Sequence, residues 1–118
     1  MKASELLPGE RRVGAWTLNY LTQAGGRYAG LLVVTDRRLF FQARFDASPG
    51  GALKALAPFR DTRGLVVIPR ERVRGVEKGG RFPRRQVAVI LDDGERHVFD
   101  RGLMGVDRLA AAIAPGGA

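Results

Sequence analysis

The side chains able to run nucleophilic, acid–base or metal chemistry are few enough to inspect one at a time. The 118 residues contain one histidine, two serines and no cysteine. The absence of cysteine removes disulfide frameworks, thiolate zinc sites and thiol nucleophiles together. His97 stands between Arg96 and Val98 in an alternating segment, with no second imidazole to share a metal, and reads as a partly buried strand residue packing beside Phe99. Asp92 and Asp93 could hold a cation or act as a general base. Asp92-Asp93-Gly94 is fully explained, however, as a hairpin turn, because Asp-Gly tolerates the positive φ angles of a tight type I′ turn. Ser4 and Ser48 lie in polar or loop sequence without the Gly-x-Ser-x-Gly setting of an activated serine. Gly25-Gly26, Gly50-Gly51 and Gly79-Gly80 lack the Gly-x-x-x-x-Gly-Lys-Ser/Thr pattern that cradles phosphate with backbone amides. The expectation is a protein that is not an enzyme and uses no cofactor and no metal.

Charge is the stronger signal. Twenty Lys+Arg against twelve Asp+Glu give a net charge of +8, and all cations but Lys2, Lys54 and Lys78 are arginine. Such a balance invites partners bearing phosphate or carboxylate, although genomic base composition can produce the same arginine skew. Between Arg70 and Arg85 lie seven cations (Arg70, Arg72, Arg74, Lys78, Arg81, Arg84, Arg85) and two anions (Glu71, Glu77), which places +5 of the +8 in sixteen residues. Arg70, Arg72 and Arg74 recur at every second position, which in an extended segment points all three the same way. Phe82 then forms an apolar tip among guanidinium groups. It can rest in an anionic membrane interface, stack on an unpaired base, pack on a protein neighbour, or fold back onto the domain. Nucleic-acid binding is the second reading of this basic surface, and it lacks a row of surface aromatics.

Positioning these residues falls to short apolar segments separated by turns, the spacing of a small sandwich or barrel. Arg12 to Gln23 alternates, with Gly14, Trp16, Leu18 and Tyr20 opposite Val13, Ala15, Thr17 and Asn19, and Gly25-Gly26 closes it. Tyr28 to Thr35 is apolar on both faces, as in a strand flanked and covered on each side. Asp36-Arg37 turns the chain into Arg38 to Phe45. There Leu39, Phe41, Ala43 and Phe45 share one face, and Phe40 intrudes among Arg38, Gln42 and Arg44 on the other. Residues 46–63 read as a loop insertion, whose Leu53, Leu56 and Phe59 either cap the open end of a barrel or contact a partner chain or membrane. Strand signals resume at Leu65 to Ile68, pass through Pro69, continue weakly from Val73 to Glu77, return over Gln86 to Leu91 and end at Glu95 to Phe99. Val106, Leu109, Ala110 and Ile113 then recur at i, i+3, i+4 and i+7, a helical stripe ended by Pro115-Gly116-Gly117.

A chain of this length is expected to form one domain over residues 1–118, burying about two-thirds of its unfolded surface. Residues 1 to 8 lack the apolar stretch of a signal peptide, and no apolar run approaches the roughly 20 residues of a spanning helix. The expected location is cytoplasmic or peripheral to the inner face of the membrane.

Four motifs in this order, followed by the terminal helix, resemble the GRAM and bacterial pleckstrin-homology-like (PH-like) domains. They are Leu7-Pro8-Gly9-Glu10 before the first strand, Val34-Thr35-Asp36-Arg37-Arg38-Leu39 at the second hairpin, Leu65-Val66-Val67-Ile68-Pro69 in the fourth strand, and Asp93-Gly94 before a strand ending in Phe99. The resemblance spans nearly the whole chain apart from the insertion. It implies a mainly β fold, a PH-like seven-stranded antiparallel bent barrel of two nearly orthogonal sheets, capped by one C-terminal α-helix. It also implies a binding module whose partner is a protein, a second copy of the chain or an anionic membrane surface. PH domains that bind phosphoinositides usually carry a Lys, spacer, Lys/Arg, x, Arg pattern across the first two strands. Here the region reads Gln23-Ala24-Gly25-Gly26-Arg27-Tyr28-Ala29, with Ala29 where the last cation would stand. No phosphoinositide site of the usual kind is expected, and lipid binding would fall to the surface from Arg70 to Arg85.

Overall fold

The computed structural model describes residues 6–22, 26–46, 65–80 and 84–115. Among them are the strands β1 (Arg12–Leu21), β2 (Arg27–Thr35), β3 (Arg38–Asp46), β4 (Leu65–Pro69), β5 (Val73–Gly79), β6 (Gln86–Leu91) and β7 (Arg96–Asp100), followed by the helix α1 (Asp107–Ile113). The chain is mainly β: the seven strands pair antiparallel in one sheet of order β4-β3-β2-β1-β7-β6-β5. Its edges, β4 and β5, are not paired with each other, so the sheet is not closed. β1 joins the two halves, pairing with β2 along its length and with β7 only through Asn19, Tyr20 and Leu21. The insertion, with Leu53, Leu56 and Phe59, lies outside the described residues.

Two-residue alternation decides which side chains enter the core. Leu32 faces Phe41 and Val34 faces Leu39 across β2 and β3, and all four are fully buried. Phe41 and Phe99 lie 6.1 Å apart between ring centroids, and Tyr20 sits 5.6 Å from the first and 5.4 Å from the second. This aromatic group bridges the strands on either side of β1. β2 is covered on its other face too, where Val33 and its neighbour Phe40 are buried. The Arg38 guanidinium lies 4.6 Å from the Phe40 ring centroid. The outer strip of β3 is therefore not an open aromatic surface at Phe40.

Two turns depart from simple expectation. The β6–β7 turn closes through Gly94 N–H to the Leu91 carbonyl at 3.0 Å and Leu91 N–H to the Glu95 carbonyl at 2.9 Å, with Gly94 at φ 86°. That is the three-residue hairpin with glycine in the left-handed position, in place of a two-residue type I′ turn. Between β4 and β5, Arg70–Arg72 form a 3-10 turn. Pro69 at φ −60° pre-sets a helical entry and has no N–H to donate to a ladder, so the extended run stops there.

α1 has only seven residues, shorter than the ~12–15 at which an isolated helix is even marginal. Packing holds it: Leu109 and Ile113 are fully buried, Val106 and Ala112 nearly so, against β5, β1 and β6.

Candidate functional site

Glu10, Thr35 and Arg38 bring the first two sequence motifs together. The buried Glu10 carboxylate accepts Arg38 Nε at 2.9 Å and Nη2 at 3.1 Å, the Thr35 hydroxyl at 2.6 Å and the Leu7 N–H at 2.8 Å. Thr35 Oγ1 in turn accepts the N–H groups of Arg37 and Arg38 at 3.1 and 3.0 Å. The hydrogen bonds from Arg38 outweigh the cost of burial and hold the Glu10 pKa down at about 2. This clasp ties the lead segment to the β2–β3 turn.

His97 belongs to a second network. Its Nδ1 lies 2.7 Å from the Tyr20 hydroxyl and its Nε2 3.1 Å from Glu95. Burial pushes the Tyr20 pKa up to about 12 and lowers that of His97, despite the Glu95 charge beside the imidazole. The Glu95 carboxylate can only accept, so with a proton on Nε2 toward it Nδ1 is left to accept the Tyr20 hydroxyl. The arrangement orients a strand residue beside the aromatic core. No group of three or more metal-ligating side chains occurs among the described residues.

The described cations of the basic stretch do not all face one way. Arg70 turns inward, its Nη2 donating to the Ala112 carbonyl at 2.6 Å and the Ala114 carbonyl at 3.4 Å, and its Nη1 to Thr35 O at 3.2 Å. It thereby occupies carbonyls left open at the end of α1. Arg72 pairs with Asp92 at 3.2 Å and Asp93 at 2.9 Å, Lys78 with Asp107 at 3.1 Å, and Arg84 with the fully buried Asp100 at 3.1 Å. Asp100 also accepts the N–H of Gly102 at 2.6 Å and Gln86 Nε2 at 3.2 Å. Burial alone would raise the Asp100 pKa, but these donors together bring it below the ordinary value. Arg70, Arg72 and Arg74 do not point the same way, because the 3-10 turn after Pro69 breaks the two-residue period. Arg74 and Arg85 are exposed with no partner for their guanidinium groups among the described residues, and Arg81 and Phe82 lie outside those residues.

Further exposed guanidinium groups without partners among the described residues lie elsewhere. Arg11, Arg12 and Arg37 share the rim where β1 begins and β2 ends, Arg44 is on β3, and Arg108 is on α1. A feature that sequence periodicity does not reach lies in the β7–α1 loop. Leu103 and Met104 are 75% and 60% exposed, against at most 44% for any other large apolar residue described. Their only signal in the sequence is an apolar pair bracketed by Gly102 and Gly105, outside both the strand and the helix patterns. Beside them, Trp16, Arg101, Gly105, Asp107 and Arg108 line a concavity of ≈ 380 Å³.

No family model matches the chain, and no curated protein matches it. Among solved structures it is similar to the crystal structure of the C-terminal domain of an unknown protein from Leishmania infantum. That match has a TM-score of 0.57 at 13% identity, over 81% of this chain and 74% of that one. At that identity the likeness bears on the fold alone. No helix among the described residues is long and apolar enough to cross a membrane.

Proposed function

We propose that the chain is a PH/GRAM-like binding module without catalytic activity, and that its partner is an anionic membrane surface. The PH-like assignment, with a bent barrel of two orthogonal halves hinged at β1, is supported by the strand order, by the terminal helix packed on the sheet, and by the meeting of two family-like motifs at Glu10, Thr35 and Arg38. The observation that carries the choice of partner is the imbalance of pairing. Asp92, Asp93, Asp107 and Asp100 are taken up by Arg72, Lys78 and Arg84, and Glu77 by Arg96. Among the described residues this leaves Glu71 and Asp36 as exposed carboxylates without an ion pair, against the exposed guanidinium groups of Arg74, Arg85, Arg108, Arg44 and the rim arginines. Each cation near an anionic surface contributes about 1 kcal/mol.

Nucleic acid is the weaker reading, because the aromatic side chains whose burial is described are all covered or half-buried and offer no stacking platform. The test is sedimentation of the full chain with phosphatidylserine-containing vesicles and with pure phosphatidylcholine vesicles. Binding to the first alone, released at about 1 M salt where the screening length falls to roughly 3 Å, is the expected result. Equal binding to both vesicle types, or to neither, would overturn the proposal, and tighter binding to an oligonucleotide than to the vesicles would transfer it to nucleic acid.

A further inference from the structure

We infer that Leu103 and Met104 form an apolar tip that enters the acyl region of an anionic bilayer while the arginines beside it contact the headgroups. The inference rests on the membrane reading above and assigns it a point of insertion.

The loop is built to present these two side chains. Gly102 takes a left-handed φ of 62°, its N–H is held by the buried Asp100, and its carbonyl accepts the Arg85 N–H at 2.7 Å. Arg101 N–H donates to Arg85 O at 2.9 Å, Met104 N–H to Arg101 O at 3.1 Å, and Arg101 Nη1 to the Gly105 carbonyl. With both ends anchored, little ordering entropy is lost when the tip is buried. No described residue covers Leu103 or Met104, although the loop could have carried polar residues at no cost to the core.

Charge selects the occupant. Lys78, Arg84, Arg85, Arg101 and Arg108 stand against Asp100 and Asp107 around the loop, a local balance of +3. Both carboxylates are already paired, while Arg85 and Arg108 are not. Two aliphatic side chains cannot stack on bases as aromatic rings do. A second copy would oppose +8 with +8. An anionic bilayer satisfies both halves of the site, offering acyl chains to the tip and phosphate or carboxylate to the guanidinium groups.

The absence of cysteine allows a site-specific probe. Met104→Cys carrying an environment-sensitive NBD fluorophore should shift its emission to the blue on anionic vesicles, whereas the same label at Glu71→Cys, on the exposed 3-10 turn, should not. Leu103→Ser with Met104→Ser should lower the partition coefficient about tenfold with an unchanged melting temperature, since neither side chain is buried in the fold. Sedimentation with anionic vesicles alongside an unshifted label at position 104, or with partitioning unaffected by the double Ser variant, would overturn the insertion and leave the surface-binding reading standing. Failure of the unmodified chain to bind anionic vesicles would remove both. A dimer in gel filtration that the double Ser variant converts to monomer would reassign the tip to self-association and overturn the inference.

Discussion

Glu10 and Arg38 are 28 positions apart in the chain, and the bidentate pair between them joins a buried carboxylate to a half-buried guanidinium group. Removing the guanidinium group strands the buried charge, so Arg38→Ala should destabilise the fold by about 3–5 kcal/mol in a urea or thermal titration. The pH dependence follows from the depressed pKa of Glu10. A carboxylate with an ordinary value of 4.5 and a folded value of about 2 contributes stability that is complete above 4.5 and is lost as pH falls through about 2. The depressed Asp100 acts in the same direction. Thermal melts from neutral pH down to about 2 should therefore show a progressive loss below 4.5 that is smaller in Glu10→Gln, whose starting stability is lower. Arg70 is tested separately. Arg70→Ala leaves the Ala112 and Thr35 carbonyls without their guanidinium donor and should cost about 1–3 kcal/mol. None of these three roles was legible in the sequence. Glu10 and Arg38 stand in two separate motifs with nothing local to pair them across 28 positions, and Arg70 reads as the first of three like-facing cations until Pro69 is seen to begin a helical turn.

At the scale of elements the sequence was far more informative, because burial on one face imposes a period that short segments display openly. The alternation of Leu39 and Phe41 against Arg38 and Gln42 identified β3 and its core face, and the i, i+3, i+7 stripe of Val106, Leu109 and Ile113 identified α1 and the side by which it docks. A seven-residue helix depends almost wholly on that docking. Leu109→Ala should accordingly cost about 2–5 kcal/mol, and the circular-dichroism signal of α1 should be lost with the cooperative unfolding of the sheet and not before it. What alternation does not determine is the geometry of connections. The β6–β7 turn took its form from one left-handed glycine, and the β7–α1 loop that exposes Leu103 and Met104 follows neither period.

For the whole molecule, the net +8 separates into charge used inside the fold and charge left at its surface. Of the cations between Arg70 and Arg85, Arg70, Arg72, Lys78 and Arg84 each hold a named partner, whereas Arg74 and Arg85 hold none among the described residues. That division was not legible beforehand, since pairing depends on which strands the topology places side by side. It has a direct consequence for mutagenesis. Arg84→Ser should lower the melting temperature by exposing the buried Asp100 to an incomplete set of donors.

The measurement that bears most directly on the account is the binding isotherm of Arg74→Ser/Arg85→Ser/Arg108→Ser on anionic vesicles, beside the unmodified chain and with melting temperatures for both. Removal of three unpartnered guanidinium groups, at about 1 kcal/mol each, should weaken binding on the order of a hundredfold and leave the melting temperature unchanged. An affinity equal to that of the unmodified chain would contradict the claim that the unpaired arginines are the binding surface.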